Sequence, residues 1–166
     1  MFVAIDRTSK VAFAKRHPQA KRVVAAEFFR RVLDKLPYRG HTVLTDNGVQ
    51  FTPQAHQLLP DGHRFDRICR EYGVEHRLTK PAPWTNGQVE RMNRPVKKAP
   101  VLRYHDQTTD ELREHFHTFL RTYNHAKRFQ KLRGLTPHKF VCAQWQKNPT
   151  TLYSEPATHL TLGLYI

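Results

Sequence analysis

The stretch TVLTDNGVQF, residues 42–51, sets a short apolar run against an abrupt polar turn. Residues 42–45 read as a buried strand, and Asn47-Gly48 stops it, because both residue types tolerate the backbone conformations that reverse a chain. Asp46 stands at the junction. An aspartate ahead of Asn-Gly is ordinary turn chemistry, since its carboxylate accepts backbone amides two residues on. The end of a strand in an α/β sheet is also where catalytic and binding groups collect. Which reading holds depends on what the rest of the chain can bring to Asp46.

Upstream, FVAID (2–6) and VAFAKR (11–16) are apolar segments separated by polar residues, which predicts an opening β-hairpin. KRVVAAEFFRRVLDKL (21–36) carries Val24, Phe28, Val32 and Leu36 at helical spacing, with Arg22, Arg30 and Lys35 largely off that face. Downstream, TPQAHQLL (52–59) predicts the start of a second helical region. PDGH interrupts it, and FDRICREYG (65–73) resumes it with Phe65, Ile68, Cys69 and Tyr72 on one side and Gly73 as the stop. VEHRLTK (74–80) predicts a strand and PAPWTNG (81–87) a loop. TDELREHFHTFLRTYN (109–124) then aligns Leu112, Phe116, Phe119, Leu120 and Tyr123 on one core-facing stripe. LRGLTPHKFVCAQWQKNP (132–149) predicts a turn and a short helix, with Trp145 as a packing anchor. Hairpin, helix, strand, helix, strand and helices make an α/β pattern.

Composition narrows the function classes. The 166 residues include 28 Lys and Arg against 14 Asp and Glu, a formal charge of +14 spread through the chain. A folded basic face attracts polyanions by counterion release, so nucleic acid is the leading partner. Hydrophobic content of 39% suits a globular protein, and no apolar run is long enough to span a bilayer. Cys69 and Cys142 match neither a zinc motif nor a disulfide framework, and His115 and His117 do not share a helix face. A reduced, cytoplasmic, DNA-associated setting without a membrane partner is the expectation.

The segment TNGQVERMNRPVKK (85–98) changes the weighing of Asp46. Thr85 and Gln88 have capping-box spacing, so a helix is expected to start there with Glu90 in its first turns. Arg94 and Lys97 follow on the same face. A carboxylate for a hard cation and cations for phosphates, on one helix, is what metal-assisted phosphodiester chemistry needs. Pro95 inside that helix removes a hydrogen bond at a cost of about 3 kcal/mol or a kink, and Pro100 ends it early.

LTDNGVQF, EHRLTKPAPWTNGQVERMNRPVKK, LRTYNHAKR and LRGLTPHKF together closely resemble the integrase catalytic core of bacterial insertion-sequence transposases. These belong to the superfamily of three-carboxylate transposases and retroviral integrases, whose fold is ribonuclease-H-like. The resemblance runs from about Phe2 to Trp145. It implies a partial catalytic core over residues 1–145 and a C-terminal extension over 146–166. It implies an α/β mixed sheet with flanking helices, N-terminally truncated so that the family's first strand is lacking.

By the same resemblance Asp46 and Glu90 are the second and third catalytic carboxylates and hold Mg²⁺ or Mn²⁺. Arg94 and Lys97, with Asn86, Gly87 and Arg91, contact DNA. Asp6 falls on the family's second strand and is read as structural, so the first catalytic aspartate is missing. The partners implied are transposon ends, target DNA and a transposase multimer. The expected activity is metal-dependent DNA cleavage and strand transfer in an incomplete copy, weakly active or inactive. The alternative is a catalytically dead DNA-binding or interaction module derived from a transposase.

Overall fold

Phe2–Ile5 (β1) and Ala12–Lys15 (β2) pair antiparallel, with Phe2 opposite Lys15 and Ile5 opposite Ala12. The computed structural model that shows this describes residues 1–17, 19–53, 62–79 and 109–153. Both faces of the hairpin are covered, and the period of two in its sequence explains how. Phe2, Val11 and Phe13 enter one core with Phe28, Phe29 and Val32 of the helix Arg22–Lys35 (α1). Ala12 and Ala14 enter a second core with Phe116 and Leu120 of the helix Thr109–Arg121 (α3), against which Val3 and Ile5 also pack. A strand buried on both faces must be apolar on both, and FVAI and VAFA are.

Thr42–Thr45 (β3) is joined to Glu75–Leu78 (β4) by parallel pairing, Thr42 opposite Glu75 and Thr45 opposite Leu78. Between them lies the helix Arg64–Glu71 (α2), which buries Phe65, Ile68 and Cys69. Its stop is glycine chemistry: Gly73 has φ +63°, a left-handed conformation that a side chain disfavours. The expected helical start over 52–59 is not seen at Thr52 and Pro53, and residues 54–59 lie outside the described residues. Stacking of Phe29 on Phe65 at 4.9 Å ties α1 to α2. Pro137–Lys147 (α4) is capped by Thr136, whose hydroxyl accepts the Lys139 amide at 3.2 Å. Trp145 packs at the margin of the α1 core. Cys69 and Cys142 are both free thiols, and burial pushes the Cys69 thiol up to about 12, which makes it inert.

The expected ribonuclease-H-like sheet is therefore present as two halves, one antiparallel and one parallel. Among the described residues no strand pairs with the free edge of β1 or of β3. A cavity of about 1040 Å³ separates them instead. Consecutive residues of both strands, whichever face their side chains take, line it, so both strands meet the cavity edge-on. Helices α1 and α4 contribute the apolar floor, through Phe28, Val32 and Val141 among others.

The outer edge of β2 is closed by a side chain. Helix α3 runs on into a π-helical turn, Thr122–Ala126, that carries Asn124 inward to 1% exposure. The Asn124 side chain accepts the Ala12 amide and donates to the Ala12 carbonyl, each at 2.9 Å, as a neighbouring strand would. Replacing it with alanine strands two buried backbone groups, each worth about 1–3 kcal/mol. We expect Asn124→Ala to lower unfolding stability by roughly 2–5 kcal/mol in urea titration, more than any exposed substitution on α3.

Candidate functional site

Parallel pairing puts the C-terminal ends of β3 and β4 at the same margin of the sheet. Asp46 follows β3 there, exposed, with its Oδ1 accepting the Gly48 amide at 3.0 Å. The turn reading of Asp-Asn-Gly is thus realised, and it leaves Oδ2 without a hydrogen bond from the described residues. Beside it, the Thr79 amide donates to the Thr45 carbonyl at 2.8 Å as the chain leaves β4. The segment that leads to Glu90 therefore starts next to Asp46. The return to this point is made through α2 and β4.

Glu90 itself lies outside the described residues, as do Asn86, Gly87, Arg91, Arg94 and Lys97, and with them Trp84, Pro95 and Pro100. Of the expected site residues, Asp46 and Asp6 are described. Among the described residues no group of three or more His, Cys, Asp or Glu gathers in a metal-binding arrangement. Hard divalent cations take oxygen ligands, and an exposed carboxylate with an uncommitted oxygen at a strand end fits that requirement in kind.

Asp6 sits in a different environment. Its Oδ1 accepts the Thr8 amide at 3.1 Å. Its Oδ2 accepts the Ser9 amide at 2.8 Å, the Ser9 hydroxyl, and the Tyr38 hydroxyl at 2.8 Å. Burial pushes this carboxyl upward, but the hydrogen bonds from Ser9, Thr8 and Tyr38 outweigh it and hold the group below its ordinary 3.8. Burial and the neighbouring Asp6 charge raise the Tyr38 phenol well above its ordinary range, so it stays a donor. Tyr38 precedes β3 and Asp46 follows it, so the two aspartates are tied to opposite ends of that strand.

Comparison with known proteins places this arrangement. The model of the family described as integrase core domain matches residues 72–137, a span that includes Glu90 and not Asp46. The BIV integrase catalytic core superposes with a TM-score of 0.64 and 22% identity over 87% of each chain. The HTLV-2 integrase catalytic core, in a trimeric form with magnesium, gives 0.63 and 20% identity over 83% of this chain and 81% of that one. An intasome of simian T-cell lymphotropic virus gives 0.62 and 22% identity over 76% of this chain and 42% of that one. The fold is that of retroviral integrase catalytic cores, and the integrase core domain match covers less than half of the chain. No curated protein sequence gives a significant match.

The fold contains a polar relay that its sequence does not advertise. His76 on β4 is largely buried and contacts the Asp66 carboxylate on α2 through Nδ1. Its Nε2 lies 2.8 Å from the hydroxyl of Thr45, the residue before Asp46. A carboxylate can only accept, so Nδ1 donates to Asp66, while Nε2 shares the second hydrogen bond with the Thr45 hydroxyl. The relay locks α2 and β4 to the last residue of β3 and so fixes the ledge on which Asp46 stands. The three residues lie on three elements, and no local spacing signals them. The basic excess is visible here too: Lys127, Arg128, Lys131 and Arg133 are exposed in the loop after the π-helical turn.

A carboxylate held below its ordinary value stabilises the fold above that value and stops doing so as pH falls through the folded one. Asp6→Asn keeps the shape but sets an amide against the Ser9 or Tyr38 donors. It is expected to cost about 1–3 kcal/mol at pH 7. The difference from wild type should close as pH drops below the ordinary 3.8, in thermal melts across that range.

Proposed function

We propose that this chain is the integrase core of an insertion-sequence transposase, with Asp46 and Glu90 as two arms of one divalent-cation site at the shared end of β3 and β4. The observation that carries this reading is the parallel register, because it brings Asp46 and the start of the segment bearing Glu90 to one margin. The HTLV-2 core is described in complex with magnesium, and Mg²⁺ or Mn²⁺ suits the carboxylate donors proposed here. When bound, such a cation supplies Lewis-acid stabilisation of charge at a phosphoryl group. Asp46 and Glu90 hold and orient it, while Arg94 and Lys97, with Asn86, Gly87 and Arg91, bind DNA phosphates and fix their register. Transposon ends and target DNA are the substrates, and the likeness to trimeric integrase and to an intasome supports a multimer on DNA.

Asp6 does not serve as a third arm, because both its oxygens are spent on the turn and on Tyr38. Two carboxylates bind a cation more weakly than three, so we assign the chain weak activity or none. The second reading, a DNA-binding module without turnover, is favoured by the +14 charge, which needs no metal.

Two measurements on the purified chain separate these readings. Nicking of supercoiled plasmid in Mn²⁺ is expected to be slow and to fall on the order of tenfold or more in Asp46→Asn and in Glu90→Gln. DNA retention in mobility shifts should weaken steeply with salt and survive both substitutions. Nicking that persists undiminished in both variants ends the two-carboxylate proposal. Absence of nicking with intact retention leaves the binding module as the function.

A further inference from the structure

We propose that the cavity between β1 and β3 is the receptor for the chain's own C-terminal segment, THLTLGLYI (158–166), as an added β-strand. Three observations converge on it, and the cavity concerned borders the proposed cation site at Asp46. The first is the cavity itself, which meets consecutive residues of both strands edge-on and is lined by Phe2, Phe28, Val32, Val43, Val141 and Leu152 together with charged residues that include Arg39 and Arg77. Each of β1 and β3 pairs with a strand on one side, so each has one edge without a strand partner among the described residues. Unpaired strand edges facing a cavity are a template for one more strand.

The second is where the described chain stops. Leu152 makes an antiparallel bridge with Tyr38, and the Tyr153 amide donates to the Pro37 carbonyl at 2.6 Å. Tyr38 and Leu152 both line the cavity. The backbone is thus already extended and already at the cavity wall when residues 154–166 begin. At about 3.3 Å per residue the nine residues 158–166 span roughly 30 Å, more than β1 or β3 needs for pairing along its four residues.

The third is the pattern of the segment. Leu160, Leu162, Leu164 and Ile166 alternate with Thr161, Gly163 and Tyr165, which is strand periodicity. No Asp, Glu, Lys or Arg occurs from 158 to 166 in a chain otherwise rich in charge, and Pro156 stands outside the run, where proline is tolerated. A strand covered by helices on both faces and by strands at both edges has to be uncharged throughout.

Hydrogen exchange read by mass spectrometry tests this on the full chain. The amides of residues 2–5 and 42–45 are expected to exchange slowly, and to speed up on the order of tenfold or more in Leu162→Asp and in a chain ending at Tyr153. The backbone of α1 should keep its rate, and a synthetic 154–166 peptide added to the shortened chain should restore slow exchange at both strands. If α1 also speeds up, the variant has lost its fold, and the milder Leu162→Ala makes the comparison instead. Equal rates at both strands with and without an intact tail overturn the proposal. So does slow exchange seen only at concentrations where the chain is dimeric, which assigns the cavity to a second copy.

Discussion

Parallel pairing of β3 with β4 is the constraint on which the site depends. Two parallel neighbours cannot be joined by a tight turn, so the chain must leave the sheet after Thr45, cross over through α2 and return to Glu75. That crossover has two chemical consequences. It places the ends of both strands together, so that Asp46 and Thr79 emerge side by side. It also carries α2 past the sheet, so that Asp66 can reach His76 and His76 can reach Thr45. An antiparallel return would have put the segment that follows β4 at the far end of β3 and left Asp46 alone.

The two halves of the sheet are stabilised by unlike means. The hairpin is covered on its faces by two cores, Asn124 pairs with Ala12 on its outer edge, and the edge of β1 looks into the cavity. The β3–β4 half has fewer apolar contacts: β3 has a single fully buried residue, Thr45, and β4 is mostly exposed. Its rigidity comes from the crossover and from the His76 relay. A buried hydrogen-bonded relay of this kind specifies geometry more than it adds stability, because each polar member had to be taken from water first. Regions that hold functional groups are commonly built in this way, from local constraint and not from bulk burial.

Much of the fold could be read from the chain because it rests on periodicity. Val24, Phe28 and Val32 announce α1, Phe116 and Leu120 announce α3, and the alternation in FVAI and VAFA announces a hairpin covered on both faces. Asn-Gly after TVLTD marks the end of β3, and Gly73 marks the end of α2 with the positive φ that glycine supplies. Long-range polar contacts left no such trace. Asn124 bonds to Ala12 across 112 positions, and Asp66, His76 and Thr45 meet only because β4 lies beside β3. The capping helix at 109–121 is legible from its stripe, but not its continuation into a π-helical turn, which shifts the phase of the helix enough to bring Asn124 inward. The part of the candidate site that includes Glu90 was reached through motif likeness and lies outside the described residues.

Asp6 and Asp46 show why residue type and strand position do not by themselves assign chemistry. Both follow a short apolar strand, and both accept an amide two residues ahead. At Asp6 the turn continues with Thr8 and Ser9, whose amides and hydroxyl converge on the carboxylate, and Tyr38 closes the remaining approach. Four donors thus meet this carboxylate, three of them on Oδ2. At Asp46 the next residues are Asn47 and Gly48, and among the described residues the Gly48 amide is the one donor to the carboxylate. The charge there remains to be met by something from outside the turn. What separates the two carboxylates in this molecule is the number of donors that the neighbouring residues deliver to each.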